Sequence, residues 1–236
     1  MVETTQAALK VGPSTMDFRE MEVPEIGPDE ALLKVEVAGV CGTDVSQYRL
    51  ELRGSPIIMG HENVGYITSV GKQFAARKGV HEGDLVFLEH YLPCGNCEWD
   101  HMGEYRHCTA TDWFYDNHAI RYGYTSIETT PSLWGGFSQY LYLAPNAIIH
   151  KVPDGVTPEE AGTATPMANG VQWALYEGGV DYSSTVLIQG PGQQGMCCVI
   201  ASKHAGAECV IVTGTAKDAR RLEVAKAMGA DYVIDI

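Results

Sequence analysis

The chain has 236 residues, 45% apolar and 19% charged, with no apolar run approaching the roughly 18 residues of a membrane span; this predicts a soluble globular protein of one or two domains and excludes disorder, collagen and a spanning helix. Sixteen Lys and Arg against thirty Asp and Glu leave a formal charge of −14, which repels phosphate backbones and anionic lipid, so neither nucleic acid nor a membrane is an expected partner. The first ten residues lack a basic segment followed by an apolar core and a small-residue cleavage site, which makes the cytoplasm the expected location.

Up to about residue 150 the chain is rich in glycine and in short apolar runs broken by turn residues, among them 31–37 and 64–70, which predicts a compact, mostly β domain. Cys41-Gly42-Thr43-Asp44 and Gly60-His61-Glu62 carry a soft thiolate and an imidazole, each expected just after a strand. Two such ligands and an open position would make a catalytic zinc, although a solitary Cys and a solitary His also serve as packing residues. Residues 89–134 then break the strand pattern with a polar, aromatic and Cys-rich excursion, too long for an ordinary connection unless something ties it down. Cys94-x-x-Cys97 followed by Cys108 supplies three thiolates of a closed, four-ligand zinc site, with Asp100, His101 and His107 as candidates for the fourth. Seven cysteines, three of them in one short stretch, favour metal over a disulfide framework. A redox Cys-x-x-Cys is disfavoured because the pair is expected to precede a loop rather than open a helix.

After Pro153-Asp154-Gly155 the texture changes, and a domain boundary is expected between residues 153 and 154. Thr157-Pro158-Glu159-Glu160 supplies an N-cap, a proline at the first helical position and an acid three after the cap, predicting a helix to about Tyr176. Strand 185–189, helix 193–204, strand 209–213, a helix near 218–228 and strand 232–236 follow, a βαβαβ pattern that implies a parallel sheet. Gly190-Pro191-Gly192-Gln193-Gln194-Gly195 falls between the first strand and the first helix of this pattern. There the first glycine permits the tight turn, the second lets a pyrophosphate approach the backbone, and the third lets helix and strand pack closely. The second strand ends in Thr213-Gly214-Thr215 without an acid to bind a ribose 2′-hydroxyl, while Lys217, Arg220 and Arg221 could neutralise a 2′-phosphate. This leans towards NADP over NAD; the alternative is that these cations lie on a solvated helix face.

Taken in order, Cys41-Gly42-Thr43-Asp44, Gly60-His61-Glu62-x-x-Gly65, Gly83-Asp84-x-Val86, Cys94-Gly95-x-Cys97 with Cys108, Gly135-Gly136-Phe137 and the Gly190 turn resemble the zinc-dependent medium-chain alcohol dehydrogenase family over essentially the whole chain. The resemblance implies an α/β protein: a mostly β, GroES-like zinc-binding catalytic domain over 1–153, then the first half of a Rossmann dinucleotide-binding domain over 154–236. It implies one catalytic zinc on Cys41 and His61 with Glu62 as an alternate or nearby ligand, one structural zinc on Cys94, Cys97, Asp100 and Cys108, and a bound NAD(P). Thr43 would pass the alcohol proton and Asp44 would orient His61 through its other ring nitrogen. Zinc would lower the pKa of an alcohol so that hydride can leave carbon for nicotinamide.

Several positions depart from the family pattern. Asp100 stands where a fourth structural cysteine is usual, with His101 as competitor; Thr165 stands where a further zinc-ligating Cys or acid is common, and Ser46 where a proton-relaying histidine is common. His90 falls on the expected wall of the substrate pocket and, beside Glu89, suggests a polyol or hydroxy compound as substrate. A complete fold of this kind has six parallel strands, so about 90 further residues are expected beyond Ile236. The chain is therefore expected to be the N-terminal part of a longer enzyme, strand 185–189 to be left with an open apolar edge, and the full-length form to be a homo-oligomer. Two rival readings are a zinc-free enone or quinone reductase of the same superfamily and a non-catalytic zinc- or nucleotide-binding module.

Overall fold

The computed structural model describes residues 3–52, 54–112 and 119–236, and the chain divides into two compact units, Met1–Gly162 and Thr163–Ile236. The first unit opens with β1 (Thr4–Gly12) and β2 (Thr15–Glu22), an antiparallel pair in which Thr5, Ala7 and Leu9 of β1 turn to the core, as a period of two requires. It continues through β3 (Ala31–Gly39), α1 (Gly42–Arg49), β4 (Ile57–Ile58), β5 (Glu62–Val70), α2 (Lys72–Lys78), β6 (Leu85–Leu88), α3 (Glu98–His101), β7 (Tyr140–Leu143), β8 (Ile149–Lys151) and α4 (Pro158–Ala161). One antiparallel sheet has the order β7-β3-β5-β6-β8, the other β2-β1-β4. Backbone hydrogen bonds from Ala8 N to Phe137 O (2.8 Å) and from Gln139 N to Gln6 O (3.1 Å) stitch β1 to the segment leading into β7, so the two sheets enclose one core. Leu9, Leu33, Ile58, Ile67, Phe74, Leu88, Tyr122 and Leu141 fill it.

The 89–134 excursion carries α3 and a 3₁₀ turn (Tyr105–His107); its residues 113–118 lie outside the described residues. Cys97 is the N-cap of α3, so the Cys-x-x-Cys pair leads into one turn of helix and not, as its polar surroundings suggested, into a loop.

The second unit is α5 (Ala164–Val171), a π-helical turn (Gln172–Glu177), β9 (Thr185–Gln189), α6 (Gln193–His204), β10 (Cys209–Gly214), α7 (Ala219–Ala227) and β11 (Tyr232–Asp235). The strands are parallel in the order β11-β10-β9, and Val199, Leu222 and Ala225 pack on Ile188, Val210 and Val212. Among the described residues β9 pairs on one side only, and its Leu187 is exposed. The helix expected to run unbroken to Tyr176 is instead three pieces. The Thr157 capping box starts α4 as anticipated, Oγ1 accepting from Glu160 N (3.2 Å) and Glu160 Oε2 from Thr157 N (2.9 Å). Gly162 and Thr163 then interrupt it, and α5 gives way to the π turn, whose wider bonding a propensity reading does not anticipate. Because α4 packs against β3 and β5, the compact units divide at Gly162–Thr163, later than the change of texture at residue 153. No helix among the described residues is long and apolar enough to cross a membrane.

Candidate metal and nucleotide sites

Cys41 follows the end of β3 and caps α1; His61 sits between β4 and β5, and Glu62 is the first residue of β5. Sequence spacing placed His61 just after a strand, and the two-residue β4 is that strand. The ligand atoms of Cys41, His61 and Glu62 lie within 4.8 Å of one another. Cys41 Sγ is 3.2 Å from His61 Nε2, close to the roughly 3.5 Å that separates two ligand atoms of one tetrahedral zinc. On the other side of the ring, Asp44 Oδ1 is 3.3 Å from His61 Nδ1, both side chains being buried. Asp44 Oδ2 accepts from Cys41 N at 2.9 Å, so one carboxylate holds both the thiol's backbone and the imidazole. Burial works against ionisation of Asp44, but the hydrogen bond and charge of His61 and the Cys41 N–H hold it below the usual carboxylate range. An ionised Asp44 can only accept, which puts the ring proton on Nδ1 and turns the Nε2 lone pair to Cys41. Thr43 is exposed, and its N–H donates to Cys41 Sγ at 3.2 Å.

The turn that carries His61 is strapped by Gly135-Gly136-Phe137: Phe137 N donates to Met59 O and Gly136 N to Gly60 O, both at 2.9 Å. A Cβ on Gly135 would stand 1.9 Å from Ile58 O, so only glycine lets the strap approach. The double glycine thus has a mechanical reason, the placement of an imidazole one strand away.

His90 lies beside this cluster, its ring 5.4 Å from that of His61 and 3.9 Å from that of Tyr91. Burial, reinforced by the neighbouring charges of His61 and Arg121, pushes His90 down to about 3, so it is a neutral imidazole at physiological pH. Glu89 does not join it as expected. Its carboxylate accepts from Tyr105 Oη at 2.6 Å and meets His150 Nε2 at 2.7 Å, because successive side chains leaving β6 point to opposite faces. Tyr124, which sequence reasoning missed, reaches His61 Nδ1 with its hydroxyl at 3.3 Å. No spacing rule points to it, since its place depends on the path of the 89–134 excursion.

The second cluster gathers Cys94, Cys97, Asp100 and Cys108, again with ligand atoms within 4.8 Å of one another. Asp100 Oδ2 accepts from Gly95 N (2.7 Å) and lies 3.2 Å from Cys94 Sγ, while its Oδ1 is buried with no hydrogen-bond partner among the described residues. Three sulfurs gathered with a carboxylate that keeps one buried oxygen without a partner form a donor set that a divalent soft-to-borderline cation completes. The Asn96 N–H opposes the shift, but the Asp100 carboxylate and burial push the Cys94 thiol up to about 11, a clash of anions that a cation between them removes. Of the rival fourth ligands, His107 turns to Asp112 (Nδ1 to Oδ2, 3.5 Å), and neither it nor His101 belongs to the cluster.

In the second unit, Gly190 (φ +99°) makes the turn out of β9, and its N–H donates to Thr213 O at 2.9 Å. A Cβ on Gly195 would lie 2.1 Å from Gly190 O, whereas one on Gly192 would meet nothing within 4 Å. The open space over Gly192, together with an α6 N-terminus lacking a side-chain cap, is the cradle a pyrophosphate needs. At the end of β10, Asp218 caps the turn by accepting from Thr215 N (3.1 Å) and Oγ1 (2.9 Å). Arg221 pairs with Asp218 at 3.3 Å and Arg220 with Glu223 at 2.7 Å, so both cations are engaged on the surface of α7.

Comparison with known proteins agrees with this architecture. Residues 27–154 match the alcohol dehydrogenase GroES-like domain. A probable alcohol dehydrogenase of Mycobacterium tuberculosis is 37% identical over 233 residues, covering 98% of this chain and 62% of its own length. Sorbitol dehydrogenase of Bacillus subtilis is 31% identical over 239 residues, covering 99% and 62%. Among solved structures, an Escherichia coli alcohol dehydrogenase complexed with NADH is 28% identical with a TM-score of 0.78, covering 99% of this chain and 63% of that one. The chain thus spans about three fifths of the length of these relatives. With a family model matched over more than half of its residues, on the strands and turns that build the first cluster, the chain belongs to the alcohol dehydrogenase GroES-like family.

Proposed function

We propose that this chain provides the zinc-binding catalytic domain (1–153) and the adenosine-binding half of the dinucleotide domain (154–236) of a zinc-dependent, NAD(P)-linked dehydrogenase acting on small alcohols, polyols or the matching carbonyl compounds. The observation that carries the reading is the 3.2 Å approach of Cys41 Sγ to His61 Nε2 with Asp44 on the opposite ring nitrogen. When bound, zinc supplies the Lewis acidity that acidifies an alcohol and the nicotinamide supplies the hydride acceptor. Cys41 and His61 would hold the catalytic ion with Glu62 as a nearby or alternate ligand; Asp44 keeps the imidazole in the ligating tautomer, and Thr43 passes the substrate hydroxyl proton onward, its own hydroxyl proton leaving as the substrate's arrives. Cys94, Cys97, Asp100 and Cys108 hold a second, structural zinc. The neutral His90 ring forms a polar wall that favours a hydroxylated substrate over a plain alkyl chain.

Gly190, Gly192 and Gly195, with the backbone of Gln193 and Gln194, cradle the pyrophosphate, and Thr213, Gly214 and Thr215 border the adenosine ribose. The lack of a free acid there keeps the lean towards NADP, with Arg220 and Arg221 released from Glu223 and Asp218 to meet a 2′-phosphate. Seven free cysteines suit a reducing, cytoplasmic setting, and the whole enzyme is a homo-oligomer without nucleic-acid or membrane partners.

The test is zinc stoichiometry together with cofactor reduction across an alcohol and polyol panel, on this chain and on one extended past residue 236. Two zinc ions and turnover by the extended chain are the expected result; no zinc with retained enone reduction would transfer the chain to the zinc-free reductases. Gly192→Ala should leave folding stability within about 0.5 kcal/mol and abolish NADPH binding read by fluorescence.

A further inference from the structure

We propose that Tyr124 is a second positioning residue for His61, its hydroxyl oxygen sharing the Nδ1 proton with Asp44 so that Nε2 stays aimed at Cys41. The inference rests on the zinc reading above for its purpose, though not for its geometry. Asp44 Oδ1 and Tyr124 Oη are each 3.3 Å from Nδ1. One N–H serving two oxygens gives a three-centre bond, each arm longer than the usual 2.9–3.0 Å mode. A single acceptor fixes one distance and leaves the ring free to tilt; two acceptors fix its plane. The Tyr124 ring also lies against the imidazole, centroids 5.2 Å apart and planes 32° apart.

The backbone holds Tyr124 in this pose. Arg121 N donates to Thr125 Oγ1 (2.8 Å), Thr125 Oγ1 to Arg121 O (2.7 Å) and Tyr124 N to Arg121 O (3.3 Å), closing a tight turn. Gly123 N donates to Trp134 O at 2.6 Å, and a Cβ on Gly123 (φ +83°) would come within 2.9 Å of Gly60 O and 3.0 Å of His61 Cβ. The turn therefore rests directly on the His61 backbone, and the adjacent Arg121 is anchored by its Nε to Thr111 O at 2.6 Å. A residue that merely filled space beside His61 would not need so close a backbone approach.

Tyr124→Phe keeps the ring and removes the oxygen; Asp44→Asn is the companion variant. In the metal-free chain, ring 15N shifts read the His61 tautomer; cobalt titration, followed by thiolate charge-transfer absorption with Cys41→Ser giving the other cluster's signal, reads affinity at Cys41. With Asp44 still accepting, Tyr124→Phe is expected to keep the proton on Nδ1 but move the Nδ1 15N shift as one arm of the three-centre bond is lost, and to weaken cobalt binding about tenfold, with unchanged far-ultraviolet circular dichroism; Asp44→Asn is expected to mix the tautomers. Wild-type Nδ1 shift and affinity in Tyr124→Phe, with Asp44→Asn impaired, would overturn the role of Tyr124 and leave the metal site standing. If wild type takes no cobalt at Cys41, the zinc reading fails, and the Nδ1 shift alone decides Tyr124.

Discussion

The two cysteine-containing clusters are built in opposite ways. Cys94, Cys97, Asp100 and Cys108 come from one continuous stretch that contributes a four-residue helix and a 3₁₀ turn, and only Cys108 among them is fully buried. Its described ties to the rest of the unit include polar ones, Tyr105 and His150 meeting on Glu89 and Asp112 pairing with the buried Arg121 (3.6 Å), and one ring contact between Tyr105 and Tyr91. Cys41, His61 and Glu62, by contrast, stand at strand ends of a sheet whose core is already closed, with Asp44 and Tyr124 on the imidazole. At Cys94–Cys108 a cation would supply the order; at Cys41 and His61 the fold supplies it before any cation arrives. The proposed division into a structural and a catalytic metal site rests on that difference in contacts.

Chelation should expose this difference most strongly. Thiolate zinc sites contribute on the order of 10 kcal/mol to the folding of small modules, and the 94–108 stretch has only one turn of α-helix and one 3₁₀ turn of its own. After metal removal, amide exchange should lose protection across 94–108 while β3 and β5 keep theirs. Equal loss in both regions, or in neither, would break the comparison.

The next largest effect is expected at the strap. Gly135→Ala forces a Cβ to within 1.9 Å of a backbone oxygen that cannot swing aside, and should cost about 3 kcal/mol of stability in denaturant melts. It should also loosen His61 while leaving metal affinity at Cys94–Cys108 unaltered. A stable variant with an undisturbed His61 would show that the strap is not what places the imidazole.

The same contrast explains what could be read in the sequence. The Cys94–Cys108 donors are local, so spacing alone nominated the three cysteines but not which neighbour joins them; Asp100 does, because one turn of α3 brings it back over Gly95. Strands 185–189 and 209–213 and helix 193–204 were legible for a similar reason, each being a short apolar period bounded by glycine or turn residues. Cys41 and His61 were separately ambiguous, and only the ordered set of motifs joined them. Tyr124 and the true direction of Glu89 were illegible, because both depend on how the 89–134 excursion folds back on β6. The break of the 158–176 helix was missed because the strong start at Thr157 outweighed the poor helix formers Gly162, Thr163, Pro166 and Gly170 that follow it, and no propensity marks a π turn.

A smaller effect is expected from the fourth ligand itself. Asp100→Asn removes the anion but keeps the shape, and should weaken metal binding at that cluster about tenfold, roughly 1.4 kcal/mol. Asp100→Cys, which supplies the soft donor usual for thiolate sites, should bind at least as tightly as wild type. Competition with a chromophoric chelator measures both. Equal affinity in Asp100→Asn and wild type would return the fourth position to a histidine or to water.

Glu89 offers the finest discrimination. If its carboxylate anchors the cysteine-rich stretch through Tyr105 and His150, then Glu89→Gln should cost only about 1 kcal/mol and should raise amide exchange near residues 105–108. The charge on Glu89 also burdens Tyr105, whose hydroxyl is pushed up by burial first and by Glu89 second; the variant should therefore make that phenol easier to ionise, which an ultraviolet titration would detect. Substrate profile and cobalt affinity at Cys41 should stay as in wild type, because the carboxylate does not face His90. A changed profile with undisturbed exchange at 105–108 would instead place Glu89 in the substrate pocket and join the two regions that the structure keeps apart.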